Sequence, residues 1–190
     1  MLELSLETPW SVLVSQQPTP GTKLSDEEFK AGLKAVAKLE SVQDGKTFID
    51  AMEDPLKTQP GTNVYMFRQG LAPLWSEFPD GGIWQIRAPR KDTRIDVRAT
   101  WAKLLFSVLG EQLPGAANIA GVTLGVRTGH CAISVWLVAS PNADFVLMSA
   151  LRDALALPEG TSLEFSLNRI ANEAGSSHEQ AKRYSIKKIR

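Results

Sequence analysis

Cysteine is almost absent, with Cys131 the single thiol in 190 residues. That excludes an internal disulfide and any CxxC zinc site, and it suits a reducing compartment. Histidine is equally scarce. His130 and His178 are the only two, too few for a histidine-rich metal site, so no metal or other cofactor is expected. Net charge is missing as well, because 21 Lys and Arg offset 21 Asp and Glu. A polybasic protein that holds nucleic acid by bulk charge is therefore excluded. Any nucleic-acid ligand has to be small or read locally. No apolar run approaches the roughly 18 residues of a membrane span. The opening MLELSLETPW lacks the basic region of a signal peptide. The expectations are a cytoplasmic location and no membrane partner.

The usual signatures of catalysis are missing too. There is no GxxxxGK[ST] phosphate loop. Gly121, Gly125 and Gly129 recur every fourth residue and do not form GxGxxG. His130-Cys131 places a base beside a thiol, but without a third group to orient them. No two carboxylates share a recognisable acid–base frame. The sequence predicts a protein that is not an enzyme.

What the chain does have is tryptophan, at 10, 75, 84, 101 and 136. Its charge is uneven although it sums to zero. Residues 26–57 carry eight acids and five bases, whereas residues 87–103 carry six bases and two acids. Hydrophobic residues make up 43%, enough for one sizeable core in a chain of this length.

Period-2 alternation marks Trp10–Ser15, Val64–Phe67, Ile83–Ala88, Ile119–Arg127, Ala132–Ala139 and Thr161–Leu167 as strands. The fourth and fifth of these flank a turn at Thr128-Gly129-His130-Cys131, which predicts a hairpin. Arg183–Ile189 reads as a last edge strand. Helices are predicted at Asp44–Lys57, over 93–110 with an apolar stripe from Val97 to Leu109, and at Asn142–Leu157. Residues 25–40 send two signals. Ser25-Asp-Glu-Glu28 has the form of a capping box, yet Leu33, Ala35, Ala37 and Leu39 alternate as in a strand. Residues 1–8 read as a short N-terminal arm, and 168–181 as a mobile loop. The sum is one α+β domain over 1–190, a mainly antiparallel sheet with helices on one face.

Several stretches together are more specific. Gly70-Leu-Ala-Pro-Leu-Trp75, Gly81-Gly-Ile-Trp84 and Val97-x-x-x-Trp101-x-x-Leu-Leu-x-x-x-x-Gly110-Glu111 are followed by Gly121-Val-Thr-Leu-Gly-Val-Arg127 and Ile133-Ser-Val-Trp136. In order and spacing the chain resembles the eukaryotic initiation factor 4E family of mRNA cap-binding proteins, from Trp10 to about Ile186. The resemblance implies a curved antiparallel sheet with about three helices on its convex back. It implies that the concave side holds 7-methylguanosine between two aromatic rings, here Phe29 and Trp75. It also places Phe29 in a loop and makes Gly32–Leu39 the strand.

The physical reason is plain. Methylation at N7 makes guanine cationic. A cation over an aromatic face gains about 0.5–1 kcal/mol when exposed and about 2 or more when desolvated. Guanine's N1–H and N2–H donors suit an acceptor-only carboxylate. The resemblance puts that acid directly after the second ring, where this chain has Ser76 and then Glu77, and Glu77 is the expected reader. Arg127 matches a phosphate-binding arginine, while Gly129 and Ala132 stand where the family has lysines. Arg169, Lys182 or Arg183 are expected to make up the loss. Trp136 matches a residue near the N7 methyl group and also reads as a core tryptophan. Trp10, Trp84 and Trp101 are assigned to packing.

The resemblance is weaker on the back. Lys46 replaces a tryptophan, and Ala102-Lys103 replaces a Leu-Glu pair, at the site where the family docks scaffold and repressor proteins. The expected reading is a monomeric, divergent cap-binding protein that takes part in translation initiation or its regulation. Its partners would be capped mRNA and a scaffold or repressor protein bound by a divergent mode. The alternative is the same fold acting as a protein-interaction module.

Overall fold

The computed structural model describes residues 4–17, 24–140, 142–174 and 182–185. Alternating sequences build eight strands: β1 (Ser5–Gln16), β2 (Lys34–Ser41), β3 (Thr62–Arg68), β4 (Gly82–Pro89), β5 (Ile119–Val126), β6 (His130–Leu137), β7 (Ser162–Leu167) and β8 (Lys182–Ser185). They form one curved sheet in the order β2-β1-β3-β5-β6-β4-β7-β8. Every neighbouring pair is antiparallel.

Strand periodicity gives this sheet two unlike faces. Val12, Val64, Met66, Trp84, Ile86, Val122, Leu124, Ile133 and Val135 point to the convex side and are buried in the main core. That side is covered by α2 (Val42–Ala51), α3 (Val97–Leu109) and α4 (Phe145–Ala154). Each such aliphatic side chain stabilises the fold by about 1.5–3 kcal/mol when taken from water. Trp10, Trp84 and Trp101 are 1%, 1% and 0% exposed, as their assignment to packing requires.

Local chemistry sets the ends of the helices. Ser41 and Asp44 form a capping box at the start of α2. The Asp96 carboxylate accepts from the Ala99 N–H to open α3, and Gly110 closes it. Gly45 lets α2 approach α3 closely, since a Cβ there would lie 2.7 Å from Leu109 Cδ1. Lys46 is exposed and paired with Asp50, and Lys103 is exposed on α3.

Three expectations need correction. Residues 25–40 satisfy both of their signals, not one. Ser25 and Glu28 close a capping box over a short helix α1 (Asp26–Ala31), and β2 begins only at Lys34. Phe29 therefore sits on a helix and not in a loop. The expected loop 168–181 begins as helix α5 (Asn168–Ala174), and 175–181 lie outside the described residues. β1 starts at Ser5, so half of the expected arm is strand. Residues 186–189 of the expected last strand also lie outside the described residues. Among the described residues no helix is long and apolar enough to cross a membrane.

Candidate functional site

The concave face carries three cross-strand rows. The first runs Asn63, Gly125, Ala132 and Arg87 across β3, β5, β6 and β4. The second runs Tyr65, Thr123, Ser134 and Gln85, then Glu164 on β7. The third runs Phe67, Gly121, Trp136 and Ile83, then Ser166. Small residues at the middle of the first two rows, Gly125 with Ala132 and Thr123 with Ser134, leave a hollow. A cavity of about 430 Å³ opens there, with Trp136, Thr123, Ser134 and Gln85 in its floor and Phe29, Trp75 and Asp26 at its border.

The third row is an aromatic base. Phe67 meets Trp136 edge-on at 5.5 Å and stacks on Phe78 at 6.5 Å. Trp136 is 7% exposed, and its indole N–H donates to Thr123 Oγ1 at 2.8 Å. It belongs to the buried cluster and lines the cavity at once.

The first row is cationic. The Arg127 guanidinium folds back over Gly125, where a Cβ would come within 2.9 Å of Nη2. Nη2 donates to Asn63 Oδ1 at 2.8 Å, and Nη1 to the Val126 carbonyl at 3.0 Å. Burial lowers the Arg127 pKa from its ordinary value, and the nearby Tyr65 opposes that shift. Burial pushes the Tyr65 phenol up, against its hydrogen bond with Ser15 and the charge of Arg127. A guanidinium nonetheless stays protonated in proteins. Arg87 flanks the other side of the row, where its Nε lies 3.2 Å from the buried Glu164 carboxylate.

Two short segments form the border. α1 is pinned by its capping box: the Ser25 N–H donates to Glu28 Oε2 at 2.8 Å, and the Glu28 N–H to Ser25 Oγ. These bonds hold the Glu28 pKa below the usual carboxylate value. Phe29 projects from this turn, half-buried, edge-on to Tyr65 at 6.1 Å. Opposite it, Trp75 opens a single 3-10 turn, Trp75–Glu77. That turn is held from below by buried Phe78, whose carbonyl accepts from Asn168 Nδ2 at 2.9 Å. Trp75 is half-buried, and its indole N–H makes no hydrogen bond.

Four of the five expected site residues, Phe29, Trp75, Arg127 and Trp136, thus line one cavity. Glu77 does not. Its carboxylate accepts from the Ala72 N–H at 3.0 Å and closes the loop ahead of Trp75. The tight turn points position 77 back along its own chain, away from the hollow. Ser76 Oγ donates across the border to the carboxylate of Asp26. Arg169 is exposed on α5 and does not line the cavity, whereas Asn172 does. The side chains of Lys182 and Arg183 lie outside the described residues.

Asp26, Asn63, Tyr65, Thr123, Gln85 and Ser134 were missed as site residues. Thr123 and Ser134 were recoverable, because they share the period-2 faces of Arg127 and Trp136; Asn63, Tyr65 and Gln85 lie on β3 and β4, which carried no expected site residue, and only strand pairing brings them in. Asp26 was not recoverable, since its place depends on α1 docking against the turn at Trp75. Among the described residues no three His, Cys, Asp or Glu cluster as a metal site.

The sequence profile of the family Eukaryotic initiation factor 4E matches residues 5–183. The chain is 27% identical over 154 residues to eukaryotic translation initiation factor 4E-4 of Caenorhabditis elegans, covering 77% of this chain and 69% of that protein. It is 25% identical over 138 residues to factor 4E1 of Drosophila melanogaster, covering 70% of this chain. The matched region spans about half of that fly protein, 53%. Among solved structures, C. elegans eIF4E-3 in complex with the 4E-binding protein Mextli and a cap analog superposes with a TM-score of 0.76 at 20% identity, covering 90% and 96% of the two chains. Ascaris suum eIF4E-3 with m7G cap gives 0.75 at 21% identity, covering 87% and 92%. At these identities the likeness to the solved structures speaks for the fold.

Proposed function

This chain belongs to the eukaryotic initiation factor 4E family, and from that premise we propose that its concave cavity holds the 7-methylguanosine of an mRNA 5′ cap. Phe29 and Trp75 stack on the two faces of the base. Arg127 meets the phosphate bridge, and Trp136 backs the N7 methyl group. One observation carries the reading: two half-buried rings from distant parts of the chain border a single cavity that also holds a guanidinium.

The chemistry favours a cationic base. Stacking on aromatics contributes about 1–3 kcal/mol per base and is open to any base. The charge adds about 2 kcal/mol in a desolvated sandwich, or about 30-fold in affinity. A guanidinium offers paired N–H groups that suit phosphate oxygens. In this proposal the protein binds and releases its ligand without changing it, and acts in translation initiation or its regulation.

Relatives solved with a 4E-binding protein support a second surface for a scaffold or repressor protein on α2 and α3. Lys46 and Lys103 give that surface a basic character here, so the fitting partner segment carries acids where a family partner expects to meet one.

The test is titration with 7-methyl-GTP and with GTP while following tryptophan fluorescence. Quenching by the methylated ligand, about 30-fold tighter than by GTP, is the expected result. No quenching by either at millimolar concentration overturns the proposal.

A further inference from the structure

We infer that Asp26 is the residue that reads the guanine edge of the bound base, with Ser76 as its positioning partner. The inference rests on the cap-binding reading above and names the specificity residue of that same cavity. Three observations lead to it. Asp26 supplies the one carboxylate among the described residues that line the cavity. It stands three positions before Phe29 on α1, and residues at that spacing share one face of a helix. A single capped turn therefore fixes a stacking ring and a carboxylate together. Finally, Asp26 Oδ2 accepts from Ser76 Oγ, and Ser76 directly follows Trp75.

The geometry links the two segments that bear the rings. The carboxylate lies at the cavity border between them, where the edge of a base stacked on both would emerge. The base presents N1–H and N2–H, two donors side by side. A carboxylate has two oxygens and no proton, so it accepts from both and repels an edge that offers an acceptor. It also has capacity to spare, since its oxygens offer about four lone-pair sites. Glu77 is turned away, with its carboxylate on the Ala72 N–H. A serine at 76 thus fits the exchange: the acid has moved to the opposite wall, and the hydroxyl holds it there.

The experiment compares 7-methyl-GTP with 7-methyl-ITP, whose base lacks the 2-amino group. Binding is measured for the full chain and for D26N, S76A and E77Q. The parent protein is expected to prefer the guanine ligand by about 10-fold, one charge-assisted hydrogen bond. D26N keeps the shape but loses the second acceptor, so it drops about 10- to 100-fold on 7-methyl-GTP and binds the two ligands alike. S76A falls by about 3-fold, because Ser76 steadies the carboxylate without touching the ligand, and keeps the preference. E77Q, whose amide oxygen still accepts from the Ala72 N–H, keeps it too. A preference that survives in D26N and collapses in E77Q overturns the inference and leaves cap binding standing. Failure of the parent protein to bind either ligand overturns both.

Discussion

Gly121 and Gly125 lie on the same strand and the same face, four residues apart, yet alanine should act differently at each. Neither has a positive φ, so backbone strain is the same small matter at both. At Gly121 the new Cβ would stand 2.4 Å from Cγ of Phe67 and 2.5 Å from its Cδ2. Phe67 is fully buried and wedged between Phe78 and Trp136, so its ring has nowhere to go. Overpacking of this kind costs about 1–3 kcal/mol. The stiffer unfolded chain returns about 0.4–1 kcal/mol, which leaves a net loss of about 1–2 kcal/mol. In a chain of this size each kcal/mol moves Tm by about 2–4 °C, so G121A should melt lower by about 2–8 °C.

At Gly125 the three atoms nearest the new Cβ all belong to the Arg127 guanidinium, at 2.9–3.1 Å. That group is the far end of a flexible side chain and can lift. The loss is its part-buried hydrogen bonds to Asn63 and to the Val126 carbonyl, which water replaces when the group lifts, so each costs the low end of about 0.5–1.5 kcal/mol, against the same entropic return. G125A should therefore melt within about 3 °C of the parent. It should lose affinity for a cap triphosphate more than for the methylated nucleoside, because Arg127 is displaced. Paired thermal melts by circular dichroism decide the matter. A G125A variant that falls as far as G121A, or a G121A variant as stable as the parent, would refute the packing assigned to these rows.

Further outcomes follow from the same geometry. W75A removes a half-buried ring and is expected to abolish binding of 7-methyl-GTP while leaving the far-ultraviolet spectrum unchanged; retained affinity would place the base elsewhere. R127E should flatten the dependence of affinity on salt, since the slope counts phosphate contacts, and an unchanged slope would mean that Arg127 does not meet the phosphates. Burial raises the Tyr65 pKa above its ordinary value of 10.0, so the folded state favours the neutral phenol. Stability from this residue is complete below about pH 10, and it is lost as pH rises through the elevated folded value. Y65F should remove that alkaline loss, and a parent curve that does not fall above pH 10 would contradict the burial. Burial also raises the Cys131 thiol, so a thiol reagent should label it only after unfolding; rapid native labelling would contradict its place in the core.

Much of this was legible in the sequence, and for a physical reason. Side chains on a strand alternate, so the apolar set Val122, Leu124 and Val126 identified one face of β5 and left Thr123, Gly125 and Arg127 for the other. Trp136 was legible through the resemblance at Ile133-Ser-Val-Trp136, and alternation puts Ser134 on its face; its row with Gly121 and Ile83 came from strand pairing. The two signals in residues 25–40 were both real: a capping box needs only four residues, so a helix and a strand fit where one element was expected. Tertiary structure alone decided the border of the cavity. Asp26 and Ser76 are fifty positions apart, and no local pattern says that the turn after Trp75 docks beside α1. The reach of Glu77 was likewise settled by the backbone of its own loop, since a carboxylate goes to the nearest unsatisfied N–H that the fold offers. Periodicity determined which faces the residues share; where one element ends and another meets it depended on contacts between parts of the chain that only folding brings together.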